Sequence, residues 1–359
     1  MTQFLNTVIT GTGSYIPPRV ISNADFTKQV FFEKDHSVID SPGEEVTRKF
    51  KDITGIYERR WVDSNLDNSD IASMAARDAI RDSGIDPETI DQIIVAHNFG
   101  NVMRDSIQTD ILPSIASRVK NALGIKNPAC IPYDIIFGCP GWVQGMIQAY
   151  SFIQSGMAKR CLVIGSETLS RVVDPYDRDT MIFSDGAGAV VVEGKSEDFK
   201  RGILSYSFAS HTEEEVGYLY FGKSNSPDHD PNIRYIKMLG RKIYEYSLTH
   251  VPLAMKLALD RSGMEIGEIK KILIHQANEK MDEAIVQRFY RQYHLKVDTA
   301  QLMPMNIQTL GNSSVGTVPI LYDMILKNKL QNHQINAGDL LLFASVGAGM
   351  NINAFVYRQ

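Results

Sequence analysis

Residues 136–142 read IFGCPGW, which places a cysteine between glycines at a junction of two predicted elements. Ala129 to Ile136 form an apolar run typical of a buried strand, and Val143 to Met157 have the apolar, small-residue character of a packed helix. Leu162 to Gly165 (LVIG) then predict another strand. The quoted stretch is therefore the turn of a strand–turn–helix–strand unit.

The same unit occurs again in the second half of the chain. There Gly311-Asn312 precede a predicted helix at 314–328 and a strand, LLFA, at 341–344. Asn312 thus stands where Cys139 stands in the first copy. Such an internal duplication predicts an α/β fold, a layered sandwich of two related halves that meet at a shared site.

A charged loop, GKSEDFKR at 194–201, separates the two copies and predicts halves of 1–197 and 198–359. The GTGS segment at 11–14 lacks the G-x-G-x-x-G spacing, so we interpret it as a turn and not as a dinucleotide site. The other predicted strands are Val8–Gly13, Gln92–Val95, Ala187–Val192 and Lys271–His275. The other predicted helices are Asp70–Ser83, Leu112–Leu123 with Gly124 as its C-cap, Tyr244–Ser262 and Asp282–Tyr293.

Composition limits the class of protein. The chain has 359 residues, 43% of them hydrophobic and 22% charged, as in an ordinary globular protein. A net charge of -5 argues against a general nucleic-acid binder. Three cysteines are too few for a disulfide framework, which favours a reducing, cytoplasmic setting. We expect no signal segment, no membrane insertion and, because the eight histidines lack ligand spacing, no metal.

Cys139 is the first candidate for chemistry. A helix N-terminus favours the thiolate, and the flanking glycines allow a substrate to approach the backbone closely. The Cys139 amide is also a candidate oxyanion donor. A buried structural thiol is the competing interpretation, and the local sequence leaves the two evenly balanced. Cys130 and Cys161 lie in apolar strand contexts, where the structural interpretation is favoured.

A nucleophile needs partners, and histidines follow two predicted strands. His275 ends KILIH and His97 ends IIVAH, so position alone does not choose between them. For Asn312, a helix N-cap is the favoured explanation when the motif is taken alone. The segment GAG at 347–349 is either a simple turn or a loop of backbone donors.

Taken together and in order, these motifs resemble the thiolase superfamily and, within it, β-ketoacyl-acyl carrier protein synthase III. The motifs are GCPG before a helix, HQAN after a strand, GNSS before a helix and GAG after the last strand. The resemblance covers nearly the whole chain and includes VITGTGSYIP (8–17), TGIYERR (54–60) and FSDGAGAVVVE (183–193). It implies the thiolase-like, duplicated αβαβα sandwich.

The resemblance also implies roles. Cys139 would accept an acyl group from a thioester, and His275 and Asn312 would bind a malonyl thioester carbonyl during loss of CO2. Two neutral N–H donors suit that step because negative charge builds on the thioester oxygen. The amides of Cys139 and Gly349 would form the oxyanion hole at the acyl carbon. No cofactor is implied beyond thioesters carried on CoA or on the phosphopantetheine of acyl carrier protein.

The binding residues depart from the family. The stretch EEVTRKFKDITGIYERR has Lys49 and Ile53 near the positions of a tryptophan and an arginine that hold CoA in the family. Arg178 matches another nucleotide-contacting arginine, and Arg241 stands where an asparagine is usual. Lys280 matches a basic position that meets the carrier protein, although a solvated helix charge explains a single lysine as well.

The resemblance also extends to partners. The resemblance implies acyl-CoA or acyl carrier protein and malonyl-acyl carrier protein as partners. It also implies a homodimer, with the long loop 98–113 near the partner's acyl pocket. Lys242, Lys270 and Lys271 are further candidates for a basic patch.

The alternative functions are a specialised ketosynthase of the alkylresorcinol or quinolone type, a non-catalytic partner subunit, and an acyltransferase of the same fold. A degradative thiolase is disfavoured because no cysteine follows Cys161.

Overall fold

The structure is a computed structural model that describes residues 3–103 and 108–359. Its strands are β1 (Phe4–Tyr15), β2 (Arg19–Ser22), β3 (Glu58–Trp61), β4 (Gln92–Ala96), β5 (Asn101–Val102), β6 (Thr109–Asp110), β7 (Ile131–Ile135), β8 (Arg160–Thr168), β9 (Asp185–Glu197), β10 (Gly202–Ser210), β11 (Leu219–Gly222), β12 (Tyr235–Met238), β13 (Ile269–Ile274), β14 (Leu340–Gly347) and β15 (Asn351–Arg358). Its α-helices are α1 (Gly43–Thr54), α2 (Asn68–Ser83), α3 (Ile115–Leu123), α4 (Gly141–Gln154), α5 (Gly240–Ser262), α6 (Glu279–Arg291), α7 (Thr299–Leu302), α8 (Ile307–Leu310) and α9 (Thr317–Leu326).

Two sheets share one topology. The first has the order β1-β9-β8-β4-β7, and the second has the order β10-β15-β14-β13. In the first sheet, β4 and β8 are parallel to each other, β9 is antiparallel to β8, and β1 is antiparallel to β9. In the second, β13 and β14 are parallel while β15 and β10 follow antiparallel. The duplication expected from the sequence is therefore confirmed, with β7 as an extra strand beside β4.

The helices form three layers around these sheets. Helices α2 and α3 cover the outer face of the first sheet, and α5 and α6 cover the outer face of the second. Helices α4 and α9 lie between the sheets, in a core built from both halves. Helix α4 carries no charged residue, in keeping with a helix that is buried along most of its length. The layer order is αβαβα, the thiolase-like sandwich that the resemblance implied.

Most predicted elements are present, with some wrong boundaries. Helix α3 begins at Ile115 and not at Leu112, because the Ser114 hydroxyl caps it by accepting the Ser117 N–H at 3.1 Å. Helix α9 begins at Thr317, after a single 3-10 turn at Ser314–Gly316.

The GTGS segment is not a turn. It lies inside β1, where Gly11 and Gly13 let the strand pack directly on the backbone of α2. A side chain at either glycine would collide with the carbonyl oxygen of Ala79 or Ala75. The glycines therefore serve close packing, which a turn interpretation does not explain.

Several elements were not predicted from the sequence. They include α1, the edge strand β10 with its neighbour β15, and the antiparallel pair of β11 and β12. The first sheet ends with β9 at Glu197 and the second begins with β10 at Gly202, so the chain passes from one sheet to the other between them. Of the loop 98–113, residues 104–107 lie outside the described residues.

Candidate active site

Cys139, His275 and Asn312 line one cavity of about 430 Å³ where the two halves meet. Gly349 lines it as well, in the loop between β14 and β15. The sequence placed these residues in separate motifs up to two hundred residues apart, and the fold brings them together. The cavity wall is otherwise mainly apolar.

Cys139 stands directly before α4, with Pro140 as the N-cap of that helix. Gly138 has a φ of 66°, in the left-handed region that glycine tolerates. A Cβ at Gly138 would lie 2.7 Å from the backbone nitrogen of Ala348, in the loop that carries Gly349. Glycine at 138 therefore allows the loops of the two halves to approach each other at the cysteine.

The Cys139 thiol is partly exposed to the cavity but is crowded by protein atoms. Its sulfur accepts a hydrogen bond from the Ser314 hydroxyl at 3.3 Å. Burial raises the pKa of the thiol to about 11, although the Ser314 hydrogen bond acts in the opposite direction. The helix N-terminus was expected to favour the thiolate, but here desolvation outweighs that effect. In the free protein Cys139 is a neutral thiol at pH 7.

His275 follows β13, and its ring is almost fully buried. Its backbone N–H donates to the carbonyl of Ala344 on β14 at 2.9 Å, which continues the sheet by one residue. Burial lowers the pKa of the imidazole to about 4. His275 is therefore neutral at pH 7 and can donate only one ring N–H.

Thr317 decides which ring nitrogen carries that proton. The Thr317 hydroxyl lies 2.7 Å from Nδ1 of His275 and 2.9 Å from the carbonyl oxygen of Ser314. That carbonyl already accepts the backbone N–H of Thr317. The hydroxyl has one proton for these two acceptors, and when it donates to Nδ1 the proton of His275 lies on Nε2.

Asn312 is held by backbone contacts with the first half. Its N–H donates to the carbonyl of Ile182 at 2.8 Å, and its carbonyl accepts the N–H of Ser184 at 2.9 Å. Its side-chain Oδ1 accepts the backbone N–H of Ser314 at 2.7 Å. With Oδ1 occupied, the Nδ2 group is the donor left for the cavity. This arrangement differs from the simple N-cap that the sequence also allowed.

The other candidate side chains from the sequence do not enter the cavity. His97 accepts the N–H of Gly100 at 3.0 Å and contacts Asp134 at 2.8 Å, so the protein itself occupies both ring nitrogens. Cys130 and Cys161 are free and fully buried. The position of His97 after a strand resembles that of His275, but its surroundings are structural.

Two aromatic residues, Phe137 and Trp142, lie close to Cys139 in the sequence. Phe137 lines the cavity, but Trp142 points into the central core. Its indole packs against Phe343 and Phe355, with ring centroids 6.1 and 6.4 Å away. Trp142 therefore supports α4 and leaves the thiol accessible.

A second cavity, of about 520 Å³, adjoins the first and holds most of the predicted binding residues. Lys49 and Ile53 reach it from α1, and Arg178 and Arg241 border it. The residues that line both cavities are Ile182, Met238, Ile243, Ala277 and Met281. These shared residues place the two cavities side by side, and the pair of cavities is called the passage.

The cations at this passage are paired with acids of their own. Lys49 contacts Glu45 at 2.7 Å, and Arg178 contacts Glu33 at 3.1 Å. Arg241 contacts Glu245 at 2.9 Å with its side chain 90% exposed. Exposed pairs of this kind are weak, so these cations stay available to a phosphate.

Two of the predicted lysines lie elsewhere. Lys280 is exposed in the first turn of α6 and does not line the passage. Lys271 is mostly buried, and its ammonium group donates to the carbonyl of Gln301. Lys271 therefore does not extend an exposed basic patch.

The sequence did not identify Asn98, Glu167, Ser314 or Thr317 as parts of the site. Asn98 and Glu167 lie at the carboxyl ends of the parallel strands β4 and β8, an edge where ligand sites collect in α/β proteins. Ser314 and Thr317 lie two and five residues beyond Asn312. Strand position was therefore the signal that could have identified the first pair.

Two further structural features concern metal binding and membrane insertion. Among residues 3–103 and 108–359, no group of three or more histidine, cysteine, aspartate and glutamate side chains is arranged to hold a metal ion. Over the same residues, no helix is long and apolar enough to cross a membrane.

Family models match both halves of the chain. The model for 3-oxoacyl-[acyl-carrier-protein (ACP)] synthase III matches residues 133–212, which include Cys139. The model for the C-terminal part of the same enzyme matches residues 259–359, which include His275 and Asn312.

Individual relatives match over the full length. Beta-ketoacyl-[acyl-carrier-protein] synthase III 1 of Bacillus anthracis is 31% identical over 355 residues, or 99% of each chain. Beta-ketoacyl-[acyl-carrier-protein] synthase III of Caldanaerobacter subterraneus is 34% identical over 348 residues, which cover 95% of this chain and 94% of the relative. The crystal structure of 3-oxoacyl-[acyl-carrier-protein] synthase III from Aquifex aeolicus has a TM-score of 0.79 at 29% identity, covering 99% of this chain and 100% of that one.

Proposed function

This chain belongs to the 3-oxoacyl-[acyl-carrier-protein] synthase III family, and from that premise we propose that Cys139, His275 and Asn312 are its catalytic residues. The protein is a β-ketoacyl-acyl carrier protein synthase III-type condensing enzyme, an acyltransferase with the thiolase fold. The observation that carries the proposal is the convergence of the three side chains on one cavity between the halves.

In the first half-reaction the sulfur of Cys139 attacks the carbonyl carbon of an acyl thioester. The bond from that carbon to the donor's sulfur breaks, the donor leaves as a thiol with the cysteine proton, and Cys139 becomes an acyl thioester. The backbone amides of Cys139 and Gly349, which border the same cavity, hold the oxyanion of the tetrahedral intermediate.

In the second half-reaction a malonyl thioester occupies the same cavity. Nε2–H of His275 and Nδ2–H of Asn312 donate to its thioester oxygen while the bond to CO2 breaks. The electron pair of that bond becomes the enolate, whose carbon attacks the acyl group on Cys139. The sulfur of Cys139 leaves, and a β-ketoacyl thioester is released. Neutral donors fit this step, because they stabilise the enolate without holding the carboxylate by charge.

The thioesters reach Cys139 through the passage formed by the two cavities. Its apolar walls suit a phosphopantetheine arm and an acyl chain, and Arg178 and Arg241 stand at its opening for phosphate groups. Lys280, exposed on α6 beside the Asn278 cap, serves an acidic carrier protein. The donors are acyl-CoA or acyl carrier protein, and the extender is malonyl-acyl carrier protein.

The assembly and setting are part of the proposal. The chain is divided into halves at 197/198, in keeping with one sheet per half. It works as a cytoplasmic homodimer without a metal cofactor. Strand β7 supports the homodimer, because it is the outer strand of the first sheet and an unpaired edge is a template for a second copy.

Intact-mass spectrometry tests the proposal. The protein is incubated with a panel of acyl-CoA and acyl carrier protein donors, and then with malonyl-acyl carrier protein. We expect an acyl adduct on Cys139, followed by CO2 and a β-ketoacyl product. An adduct that persists in Cys139→Ala overturns the assignment of the nucleophile. A transferred acyl group without CO2 release indicates the simple acyltransferase, and no adduct with any donor indicates a non-catalytic subunit.

A further inference from the structure

A single serine contacts two of the three proposed catalytic residues directly and is linked to the third through Thr317. The backbone N–H of Ser314 donates to Oδ1 of Asn312 at 2.7 Å, and its hydroxyl donates to the sulfur of Cys139 at 3.3 Å. Its carbonyl accepts the backbone N–H of Thr317, whose hydroxyl lies 2.7 Å from Nδ1 of His275. Ser314 therefore joins the nucleophile to both donors of the second half-reaction.

The backbone at Ser314 is strained to make these contacts. Its φ is 51°, in the left-handed region that residues with a side chain seldom adopt, and the residue is 2% exposed. Non-glycine residues persist in such a conformation only where their surroundings hold them, and they concentrate at functional sites. The strain marks Ser314 as more than a linker between Asn312 and α9.

Asn98 determines where the Ser314 hydroxyl proton points. The Nδ2 group of Asn98 donates to Oγ of Ser314 at 3.0 Å and to Oε2 of Glu167 at 2.8 Å. An amide nitrogen has two N–H bonds, so both are in use. Because the serine oxygen receives a proton from Asn98, its own proton is left for the sulfur of Cys139.

Glu167 in turn holds Asn98. Its Oε2 accepts both the side-chain Nδ2–H and, at 2.9 Å, the backbone N–H of Asn98. The residue is 1% exposed, and its Oε1 has no hydrogen-bond partner among the described residues. A fully buried carboxyl group with one unpaired oxygen is costly, and all the hydrogen bonds it accepts go to Asn98.

We propose that Glu167 and Asn98 are positioning residues that aim the Ser314 hydroxyl at the sulfur of Cys139, and that this hydroxyl stabilises the thiolate. The chain of donors runs in one direction, from Asn98 to Ser314 to Cys139, and Glu167 sets its orientation. A hydrogen bond to a charged acceptor is stronger than one to a neutral acceptor, so the hydroxyl favours the thiolate over the thiol. This inference rests on the proposed function of Cys139 as nucleophile.

Alkylation of the free protein by iodoacetamide tests the inference without any acyl donor. The thiolate is the reactive form, so the rate against pH reports the ionisation of the thiol. Cys130 and Cys161 are fully buried, so the first adduct by intact mass reports Cys139. Ser314→Ala is expected to slow alkylation at pH 8 about tenfold or more and to shift the pH profile upward. Ser314→Thr keeps the hydroxyl and is expected to restore most of the rate.

Glu167 variants separate its hydrogen-bonding function from its charge. Glu167→Gln keeps an acceptor for Asn98 and removes a negative charge near the thiol, so alkylation is expected to be as fast as in the parent or faster. Glu167→Leu removes the acceptor and is expected to slow alkylation about threefold, as is Asn98→Ala. If Glu167→Gln is as slow as Glu167→Leu, the positioning function of Glu167 is wrong.

A double mutant shows whether Asn98 acts through Ser314. Once Ser314→Ala has removed the hydroxyl, adding Asn98→Ala is expected to cause no further slowing. If the slowing by Asn98→Ala multiplies the slowing by Ser314→Ala in the double mutant, the inference is wrong. Ser166→Ala is the matched control, because it removes another buried serine hydroxyl beside Glu167 that donates to Asn68. It is expected to lower stability and leave the alkylation profile unchanged.

The two proposals fail in different ways. If no donor acylates Cys139 but alkylation responds to Ser314 and Asn98 as expected, the proposed function fails and the orienting network stands. If acylation of Cys139 is normal and alkylation of Ser314→Ala matches the parent, the network inference fails and the proposed function stands.

Discussion

His97 and His275 follow matching strands of the two halves, yet only His275 lines the cavity. His97 follows β4, which has β7 as an outer neighbour, and its Nε2 lies 2.8 Å from Asp134 on that strand. Among the described residues, the second sheet ends at β13 and has no strand in the place of β7. One added strand thus makes the histidine of the first half structural, while that of the second half is free for substrate.

Cys139 and Asn312 differ in a related way. Cys139 leads through Pro140 directly into α4, so its backbone amide and thiol stand at the start of a helix. Asn312 is followed by the strained 3-10 turn at Ser314–Gly316 before α9 begins. That turn offers a hydroxyl, an amide and a carbonyl as hydrogen-bonding groups. In the proposed mechanism, the first half therefore supplies the nucleophile, and the second half supplies the groups that orient and stabilise charge.

Cys139→Ala is the largest test of this division between the halves. Acylation and condensation are expected to fall by at least about a thousandfold, because the covalent intermediate cannot form. Decarboxylation of the malonyl thioester is expected to continue, since His275 and Asn312 are intact. Intact mass and CO2 release measure the two steps. Cys161→Ala is the control and should still be acylated. If Cys139→Ala loses decarboxylation as well as acylation, the division of functions between the two halves is wrong.

His275→Ala and Asn312→Ala test the same division from the other side. Each variant is expected to form the acyl adduct at a normal rate but to release CO2 about a hundred- to a thousandfold more slowly, because one donor to the enolate oxygen is lost. Single-turnover assays of each half-reaction provide the measurement. Equal loss of acylation would show that the second half also serves the first step.

Acid stability sharpens the contrast between a buried neutral histidine and a solvated one. The pKa of His275 is about 4 in the folded protein and near its ordinary 6.5 when unfolded. The unfolded state therefore gains a proton first as the pH falls. We expect this residue alone to lower the free energy of unfolding by about 2 kcal/mol between pH 7 and pH 5. Denaturant unfolding of the parent and of His275→Ala measures it, and parallel curves against pH would refute it.

Thr317→Val tests the hydroxyl that orients His275. Valine matches threonine in shape but cannot donate to Nδ1, so the Nε2–H tautomer loses its support. CO2 release is expected to fall about tenfold, and acylation of Cys139 is expected to stay unchanged. Thr317→Ser keeps the hydroxyl and serves as the control. A serine variant as slow as the valine variant would show that packing, not the hydrogen bond, matters here.

Lys280→Glu gives the smallest expected effect, at the surface rather than in the cavity. We expect KM for a carrier-protein thioester to rise about threefold with kcat unchanged. An exposed charge contributes little to the binding free energy and acts mainly on the rate at which the two proteins associate. KM for the corresponding acyl-CoA should not change. Lys296→Glu, exposed beyond the far end of α6, is the control. An equal effect of both variants would remove Lys280 from the carrier-protein surface.

The sequence by itself indicated the layered fold, and its resemblance to a known family selected Cys139, His275 and Asn312. Strand and helix periodicity is local, and each of the three residues lies in a short motif at the end of a strand or the start of a helix. The repeat of one unit in both halves then implied a shared site. Errors concerned segments whose form depends on neighbours, such as the glycines at 11 and 13, which look like a turn until α2 packs against them.

Only the tertiary structure shows why His275 and not His97 lines the cavity, and what surrounds Cys139. His97 and His275 have the same local pattern, and the contact with Asp134 on β7 distinguishes them. Ser314 reaches Cys139 from 175 residues away in the chain. Contacts over such distances depend on how the sheets and helices stack, and no local pattern of side chains encodes that stacking.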